Sequence, residues 1–268
     1  MILGAIVGDT IGSCYEFNNV KTTEFPLFTK RTTFTDDTVM TLAVAEALMD
    51  ADQAAQPISY ALVDSMQRLG RRYPHAGYGG RFMRWLDERN AHPRPYGSWG
   101  NGSAMRVSPA AWAFDSLELV EHVAAETAKV THNAPEGICG AQATAACIFM
   151  ARTGSTNDQI RTYVRERFGY SLDFTLDEIR DDYAFDESCQ GTVPQAIEAF
   201  LEGEGFEDTV RKAISIGGDS DTIAAIAASI AQGRYGVPAD LEREVRARLT
   251  GDLIEINDRF CTLHASRF

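Results

Sequence analysis

Four aspartates stand at the starts of two unusually apolar stretches of the sequence. Asp36 and Asp37 precede one stretch, and Asp219 and Asp221 precede the other. Each stretch would be apolar on nearly every face of a helix, which indicates a helix buried in the core. Carboxylates gathered at one desolvated place repel each other unless cations neutralise them. The pattern therefore predicts that these aspartates hold metal ions.

The ligand types narrow the choice of ion. Both segments offer carboxylate and hydroxyl oxygens without His or Cys, and such ligands favour magnesium or manganese over zinc. Adjacent and next-but-one carboxylates point in different directions, which suits two ions about 3.5–4 Å apart. Helix capping is the alternative, because Asp and Thr side chains accept hydrogen bonds from the free N–H groups of a first turn. One aspartate per helix would serve that purpose, so two at each start favour a two-metal site.

A second acidic cluster leaves another class of enzyme open. Asp36-Asp37 together with Asp181, Asp182 and Asp186 is similar to the aspartate-rich segments of all-α, magnesium-dependent prenyl-diphosphate enzymes. However, Asp36-Asp37 lacks a further Asp within a turn, and no obvious buried helix follows Asp182. We therefore interpret Asp181 and Asp182 as a solvated acidic turn and keep the prenyl-diphosphate enzyme as the second hypothesis.

The elements that must position these aspartates are helices. Helical spacing or helix-forming composition marks eight segments, 38–49, 59–69, 117–130, 135–150, 193–201, 208–216, 222–232 and 241–249. Gly233 and Gly236, with Pro238, are expected to end the seventh segment. Alternating apolar and polar runs are short, and neither a repeat nor a long linker is visible. The sequence therefore predicts an all-α fold in one domain, residues 1–268.

A glycine pattern near the N-terminus bears on the same site. Gly4, Gly8 and Gly12 lie on one face of a predicted helical segment and permit close packing against a neighbouring element. That packing would hold the N-terminal segment near the metals, with Asp9 in a structural or supporting position.

The segment 97–106 has the composition of a ligand-binding loop. Its glycines allow the backbone to approach a ligand, and Ser98, Asn101 and Ser103 offer hydrogen bonds for a diphosphate or a ribose. The segment is not a GxGxxG turn after a strand, so a Rossmann-type dinucleotide site is excluded.

Composition and charge limit the partners. The chain has 268 residues, 44% of them hydrophobic, which is enough for a large core. Asp and Glu number 38 against 25 Lys and Arg, for a formal charge of −13, so no strong field attracts nucleic acid. A small anionic ligand would need backbone amides or a local cation to offset this repulsion.

The N-terminus and the cysteines indicate the compartment. The apolar start lacks a basic segment and reaches Asp9 early, so it is not expected to be a signal peptide. Five scattered cysteines without a CxxC pair are expected to be reduced thiols. No stretch approaches the roughly 18 apolar residues of a membrane span. A cytoplasmic monomer is the simplest expectation.

Six segments occur together in the order found in one known family. They are GAIVGDTIG (4–12) followed by YE (15–16), TDDT (35–38), GYG (77–79), GSWGNGSAMR (97–106), TH (131–132) and GGDSDT (217–222). With these segments the chain resembles the ADP-ribosylglycohydrolases, a family that includes dinitrogenase reductase-activating glycohydrolase and the ADP-ribosylserine hydrolases. The resemblance spans almost the whole chain. It implies hydrolysis of the glycosidic bond between ADP-ribose and an acceptor, either a protein side chain or a small molecule.

The resemblance also implies an all-α fold around two Mg²⁺ or Mn²⁺ ions. The positions that match the family's metal ligands are Thr35, Asp36, Asp37, Asp219, Asp221 and Thr222. Among these, Asp36 and Asp37 are also expected to be catalytic. Glu16 matches a glutamate linked to acid-base work on the scissile bond, and an ordinary helix-end glutamate is the alternative.

The expected ligand contacts follow from the same match. They are Gly77, Gly79, Ser98, Trp99, Gly100, Asn101, Gly102, Ser103 and His132. Trp99 corresponds to an aromatic side chain that lies against the adenine, whereas a core tryptophan is the alternative. His132 is placed in the ligand pocket, with a structural histidine as the alternative. A relative that binds ADP-ribose without cleaving it is a further hypothesis, against which the intact Glu16 and both aspartate pairs argue.

Overall fold

The computed structural model describes residues 1–54, 57–88, 90 and 93–265. Within these ranges the chain is all-helical, and the one extended pairing is a single bridge between Gly100 and Ser188. The helices are α1 Leu3–Gly12, α2 Asp36–Ala54, α3 Ile58–Arg72, α4 Gly80–Asp87, α5 Gly102–Met105, α6 Ser108–Ala113, α7 Leu117–Lys129, α8 Pro135–Arg152, α9 Asn157–Phe168, α10 Leu176–Ile179, α11 Cys189–Leu201, α12 Phe206–Ser215, α13 Ser220–Tyr235, α14 Ala239–Arg246 and α15 Gly251–Leu263. The expected all-α class is confirmed.

All eight predicted segments lie within or almost within helices, with shifted ends. Several helices were not predicted, and α9 shows why. It buries only Ile160 and Val164, so its apolar periodicity is weak. Its sequence signal lies in its ends instead: Thr156 and Gln159 form a capping box, and Gly169 ends the helix at φ 73°.

The predicted end of the seventh segment is wrong at Gly233. Helix α13 continues through Gly233 to Tyr235 and ends at Gly236, where φ is 71°. Gly233 faces α8 instead, because a Cβ there would lie 3.0 Å from the Arg152 nitrogen and from the Ile148 oxygen. The glycine therefore permits a close approach of two helices rather than a turn.

The N-terminal helix packs directly on the backbone of α13. A Cβ on Gly4 would lie 2.5 Å from the Ala228 oxygen, and Cβ atoms on Gly8 and Gly12 would lie closer still to the backbone of α13. Helix α1 is buried over its whole length, and α13 is buried from Ser220 to Gln232. The predicted close packing of the glycine face is confirmed, and it brings the end of α1 to the start of α13.

Replacing Gly8 by Ala is expected to destabilise the protein by about 1–3 kcal/mol or more, because the added methyl group overpacks the contact between α1 and α13. Thermal unfolding measures the loss. Gly251→Ala is the matched control, since a Cβ at the start of α15 meets nothing within 4 Å. Equal melting temperatures for the two variants would contradict the packing described here.

Two other expectations concern the cysteines and the possibility of a membrane span. All five cysteines are free thiols. Within the described ranges, no helix is both long and apolar enough to cross a membrane.

Candidate active site

One cleft collects most of the residues singled out from the sequence. Its cavity volume is about 280 Å³, close to the lower end of the range for small-molecule sites. The lining residues are Glu16, Asp36, Asp37, Met40, Gly77, Gly79, Gly80, Arg81, Phe82, Tyr96, Ser98, Trp99, Gly100, Asn101, Gly102, Met105, Arg106, His132, Phe185, Glu187, Asp219, Asp221 and Thr222. The starts of α2 and α13, which are far apart in sequence, therefore meet in one place.

A carboxylate from α1 caps helix α2. Asp9 Oδ2 accepts hydrogen bonds from the backbone N–H of Thr35 at 2.9 Å and of Thr38 at 3.1 Å. The hydroxyl of Thr35 donates to Asp9 Oδ1 at 2.6 Å, and that of Thr38 also donates to Asp9. Because Asp9 serves the free N–H groups, Asp36 and Asp37 are not needed as caps. Capping therefore does not account for their presence.

The carboxylates form two overlapping groups. Oxygens of Asp9, Asp37 and Asp221 lie within 4.8 Å of one another, and so do oxygens of Glu16, Asp219 and Asp221. Asp221 belongs to both groups. Each group could hold a metal ion, with Asp221 as a residue common to both.

The protein itself does not neutralise this acidic cluster. Among the described residues, none of these carboxylates forms an ion pair with Lys or Arg. Asp37 Oδ1 is buried without a hydrogen-bond partner, while Oδ2 accepts from the Thr222 hydroxyl at 3.2 Å. Burial, followed by repulsion from neighbouring carboxylates, raises the pKa of Asp37 and Asp221 well above the usual range. An unpartnered oxygen in an all-oxygen donor set fits hard divalent cations.

Glu16 joins this cluster from the bend after α1. Burial, and then the charges of Asp219 and Asp9, raise the pKa of Glu16 to about 7. Burial also raises the pKa of Asp36 well above its usual range. A carboxyl group whose pKa is raised in this way is suited to giving and taking protons near neutral pH.

Asn19 connects the Glu16 bend to the loop before α13. Its side-chain amide donates to the backbone carbonyl oxygen of Glu16 at 2.9 Å and to that of Gly218 at 3.0 Å. The Asn19 side-chain oxygen accepts from the backbone N–H of Gly218 at 2.9 Å. Gly217 and Gly218 both have φ of 71°, a conformation that favours glycine. Sequence reasoning missed Asn19, because its partner lies 199 positions away.

The predicted ligand loop has two functions in the structure. Asn101 donates from Nδ2 to Asp219 Oδ2 at 2.7 Å and to Thr192 Oγ1 at 3.1 Å, so it orients a carboxylate of the acidic cluster. Ser98 Oγ accepts from the Gly100 nitrogen at 3.2 Å. Trp99 is 46% exposed, which excludes the alternative of a core tryptophan.

Two predicted site residues do not line the cleft. Ser103 is fully buried, and its hydroxyl donates to the Gly137 oxygen at 2.6 Å. Thr35 directs its hydroxyl to Asp9, as described above. Ser103 therefore holds the loop against α8, and Thr35 supports the acidic cluster from behind.

The cleft also contains residues that sequence reasoning did not select. These are Met40, Gly80, Arg81, Phe82, Tyr96, Met105, Arg106, Phe185 and Glu187. Arg106 is the last residue of the GSWGNGSAMR segment, so its membership of that segment could have indicated a place in the cleft. Phe185, 53% exposed, and Glu187 belong to a loop without periodicity, and nothing in their sequence indicated the cleft.

The second acidic cluster is separate from the cleft. Asp181 and Asp182 are exposed in the turn that follows α10, and neither lines the cleft. Asp186 accepts a hydrogen bond from the Ser188 nitrogen at 2.8 Å. The interpretation of Asp181 and Asp182 as a solvated turn is confirmed. The cleft thus lacks the second aspartate-rich segment that a prenyl-diphosphate enzyme would need.

The raised pKa values have a consequence for stability. A carboxylate whose pKa is higher in the folded state than in the unfolded state binds protons preferentially in the folded state, so stability falls as pH rises. In chelator, the melting temperature is expected to fall between about pH 5 and pH 8. At the higher pH, cation at 100 times its Kd should raise the melting temperature by about 5 to 10 °C.

Asp221→Asn isolates the acidic cluster in this experiment, because Asp221 belongs to both carboxylate groups. The variant should show a smaller pH effect in chelator and a smaller rise with cation. Asp240→Asn, an exposed residue of α14, is the control and should behave like the unaltered protein. Equal responses of Asp221→Asn and Asp240→Asn to pH and cation would contradict the role of this cluster in both effects.

Comparisons with known proteins agree with this fold. The family model described as ADP-ribosylglycohydrolase matches residues 1–267. The chain is 25% identical over 312 residues to ADP-ribosylhydrolase ARH3 of Mus musculus, covering 88% of this chain and 83% of that protein. It is 26% identical over 265 residues to ADP-ribosylarginine hydrolase Tri1 of Pseudomonas putida (strain GB-1), covering 88% of this chain and 70% of that protein. A solved structure of an ADP-ribosylglycohydrolase-related protein complex shares the fold, with a TM-score of 0.72 at 22% identity over 100% of this chain and 96% of that one.

Proposed function

The chain belongs to the ADP-ribosylglycohydrolase family, and from that premise we propose that it hydrolyses the glycosidic bond between ADP-ribose and an acceptor. The observation that carries the proposal is the position of Glu16 in one of two overlapping carboxylate groups, in the same cleft as a glycine-rich loop and an exposed tryptophan. A carboxyl group that can transfer protons, an acidic site for cations and a cleft with hydrogen-bonding and aromatic groups are the components that such a reaction needs.

The acidic cluster is proposed to hold two Mg²⁺ or Mn²⁺ ions. Their ligands would be drawn from Asp36, Asp37, Asp219, Asp221 and Thr222, with Thr35 and Asp9 in support. When bound, the ions supply positive charge that orients the ribose hydroxyls and stabilises the transition state of glycosidic cleavage. The unpartnered Asp37 Oδ1 supports this assignment.

Glu16 is proposed to exchange a proton during cleavage. With a pKa of about 7, its carboxyl group can give a proton to the leaving acceptor or take one from the attacking water near neutral pH. Asn19 fixes the backbone of Glu16 relative to Gly218, and therefore relative to Asp219. The acid and the ion site are thus held together by one side chain.

Other residues of the cleft are proposed to bind the adenosine diphosphate part. Trp99 and Phe185 both line the cleft and are exposed, as expected of aromatic side chains that stack on a base. Arg81 and Arg106 also line the cleft and bring local positive charge to it. This charge offsets the repulsion between a diphosphate and a protein with a net charge of −13.

Trp99→Ala is expected to weaken ADP-ribose binding by about 1–3 kcal/mol, the range for stacking between a base and an aromatic side chain. Titration calorimetry in magnesium measures the change. Tyr60→Ala is the matched control, because Tyr60 is equally exposed at 46% and does not line the cleft. Unchanged affinity of Trp99→Ala would exclude stacking on this residue.

The same instrument separates the proposal from the prenyl-diphosphate hypothesis. ADP-ribose should bind in the presence of magnesium, whereas farnesyl diphosphate should release little heat. Preference for the prenyl compound would reverse the order of the two hypotheses. A non-catalytic ADP-ribose binder would bind ADP-ribose equally well and release none from a modified acceptor.

A further inference from the structure

His132 lies in the cleft wall with its two ring nitrogens in different surroundings. Nδ1 is 2.8 Å from the Thr131 hydroxyl. Nε2 faces the glycine-rich loop, since a Cβ on Gly102 would lie 3.0 Å from it and a Cβ on Gly100 would lie 3.7 Å from it. Within the described ranges no protein group forms a hydrogen bond with Nε2. This nitrogen is therefore available to a ligand.

Arg106 determines where the hydroxyl proton of Thr131 points. Arg106 Nη2 donates to Thr131 Oγ1 at 2.8 Å and to the Thr127 oxygen at 3.1 Å. A guanidinium only donates, so the Thr131 oxygen accepts on that side and keeps its single proton for His132 Nδ1. If Nδ1 carried a proton instead, the fully buried Thr131 hydroxyl would be a donor without an acceptor, which is unfavourable.

The charge state of the two partners supports the same assignment. Burial lowers the pKa of Arg106 to about 10, which still leaves it protonated near neutral pH. Burial, reinforced by the charges of Arg106 and Arg81, holds the pKa of His132 well below its usual range. The ring is therefore neutral, and one nitrogen donates while the other accepts.

We propose that Arg106 and Thr131 are positioning residues that hold His132 in the tautomer with its proton on Nε2. In this tautomer the cleft presents an N–H donor beside Gly100 and Gly102, so it selects a ligand oxygen at this place. For ADP-ribose this consequence rests on the proposed function, with a diphosphate or ribose oxygen as the acceptor. The glycines leave space for that oxygen, because side chains there would crowd Nε2.

Nuclear magnetic resonance tests the tautomer without any ligand. Long-range couplings between ring protons and nitrogens distinguish the two tautomers and the imidazolium ion, and His132→Asn identifies the signals among the five histidines. The unaltered protein and Thr131→Ser should show the proton on Nε2. Thr131→Val keeps the shape but loses the hydroxyl, so it should show a mixture of tautomers. A proton on Nδ1 in the unaltered protein, or no change in Thr131→Val, overturns the proposal.

Binding of ADP-ribose tests the consequence for the ligand. Thr131→Val should weaken binding by about 2- to 12-fold, the range expected for one hydrogen bond, and Thr131→Ser should not. Melting temperatures of both variants show whether they fold. If the tautomer changes in Thr131→Val while affinity stays the same, Nε2 does not serve the ligand. If the unaltered protein binds no ADP-ribose, the proposed function fails, whereas the tautomer is still decided by the spectra.

Discussion

Replacing Asp37 by Ala is expected to reduce turnover by about 10³-fold or more, equivalent to several kcal/mol of transition-state stabilisation. Asp37 is buried, its Oδ1 has no protein partner, and its oxygens lie in a group with those of Asp9 and Asp221. Removing this carboxylate takes a charged ligand from the proposed ion site. Magnesium or manganese affinity should fall together with the rate, which initial-rate and metal-binding measurements can show.

Asp240→Ala is the control for Asp37→Ala, because it also removes one negative charge but does so on the exposed start of α14. Its activity and metal affinity should match those of the unaltered protein. Excess chelator should reproduce the defect of Asp37→Ala in the unaltered protein. Full activity of Asp37→Ala, or full activity in chelator, would exclude a mechanism that depends on metal at this site.

Glu16→Gln is expected to lower the rate constant by about 10²–10⁴-fold, the range for loss of a positioned acid or base. The amide keeps the size of the side chain but does not exchange a proton with the leaving group or the water. Because the metal ligands are assigned mainly to other residues, affinity for magnesium and ADP-ribose should change far less than the rate. A defect in the rate alone would distinguish Glu16 from Asp37.

Glu24→Gln is the control for Glu16→Gln, since Glu24 is exposed in the same segment between α1 and α2. Two results would contradict the role of Glu16. Turnover of Glu16→Gln at the unaltered rate would exclude proton transfer by this residue. Loss of magnesium or ADP-ribose affinity along with the rate would make Glu16 a binding residue.

The meeting of the two aspartate pairs was predictable from sequence for a physical reason. A helix that is apolar on every face has to be buried, so charged residues at its start are carried into the interior with it. The structure places Asp36, Asp37, Asp219 and Asp221 in one cleft. The predicted contact of the glycine face of α1 followed equally from local pattern, because glycines four residues apart leave a groove for another backbone.

Features that depend on distant side chains were not predictable. Asp9 caps a helix that begins 27 positions later in the sequence, whereas capping is ordinarily local. Asn19 acts through Gly218. The side-chain NH2 of Asn101 donates to Asp219, so it is not free to bind a ligand. Phe185 comes from a loop without periodicity. Glu16 was selected only through the family resemblance, because a single half-buried glutamate has no distinguishing pattern.

The central claim is tested most directly by measuring free ADP-ribose released from proteins modified separately on arginine and on serine. The protein should release ADP-ribose from at least one of these acceptors in magnesium or manganese. Release should stop in excess chelator and return when cation is restored. Undiminished release in chelator would contradict the claim that this cleft is a metal-dependent ADP-ribosyl hydrolase site, and absence of release from both acceptors with either cation present would contradict its action on ADP-ribosylated arginine and serine.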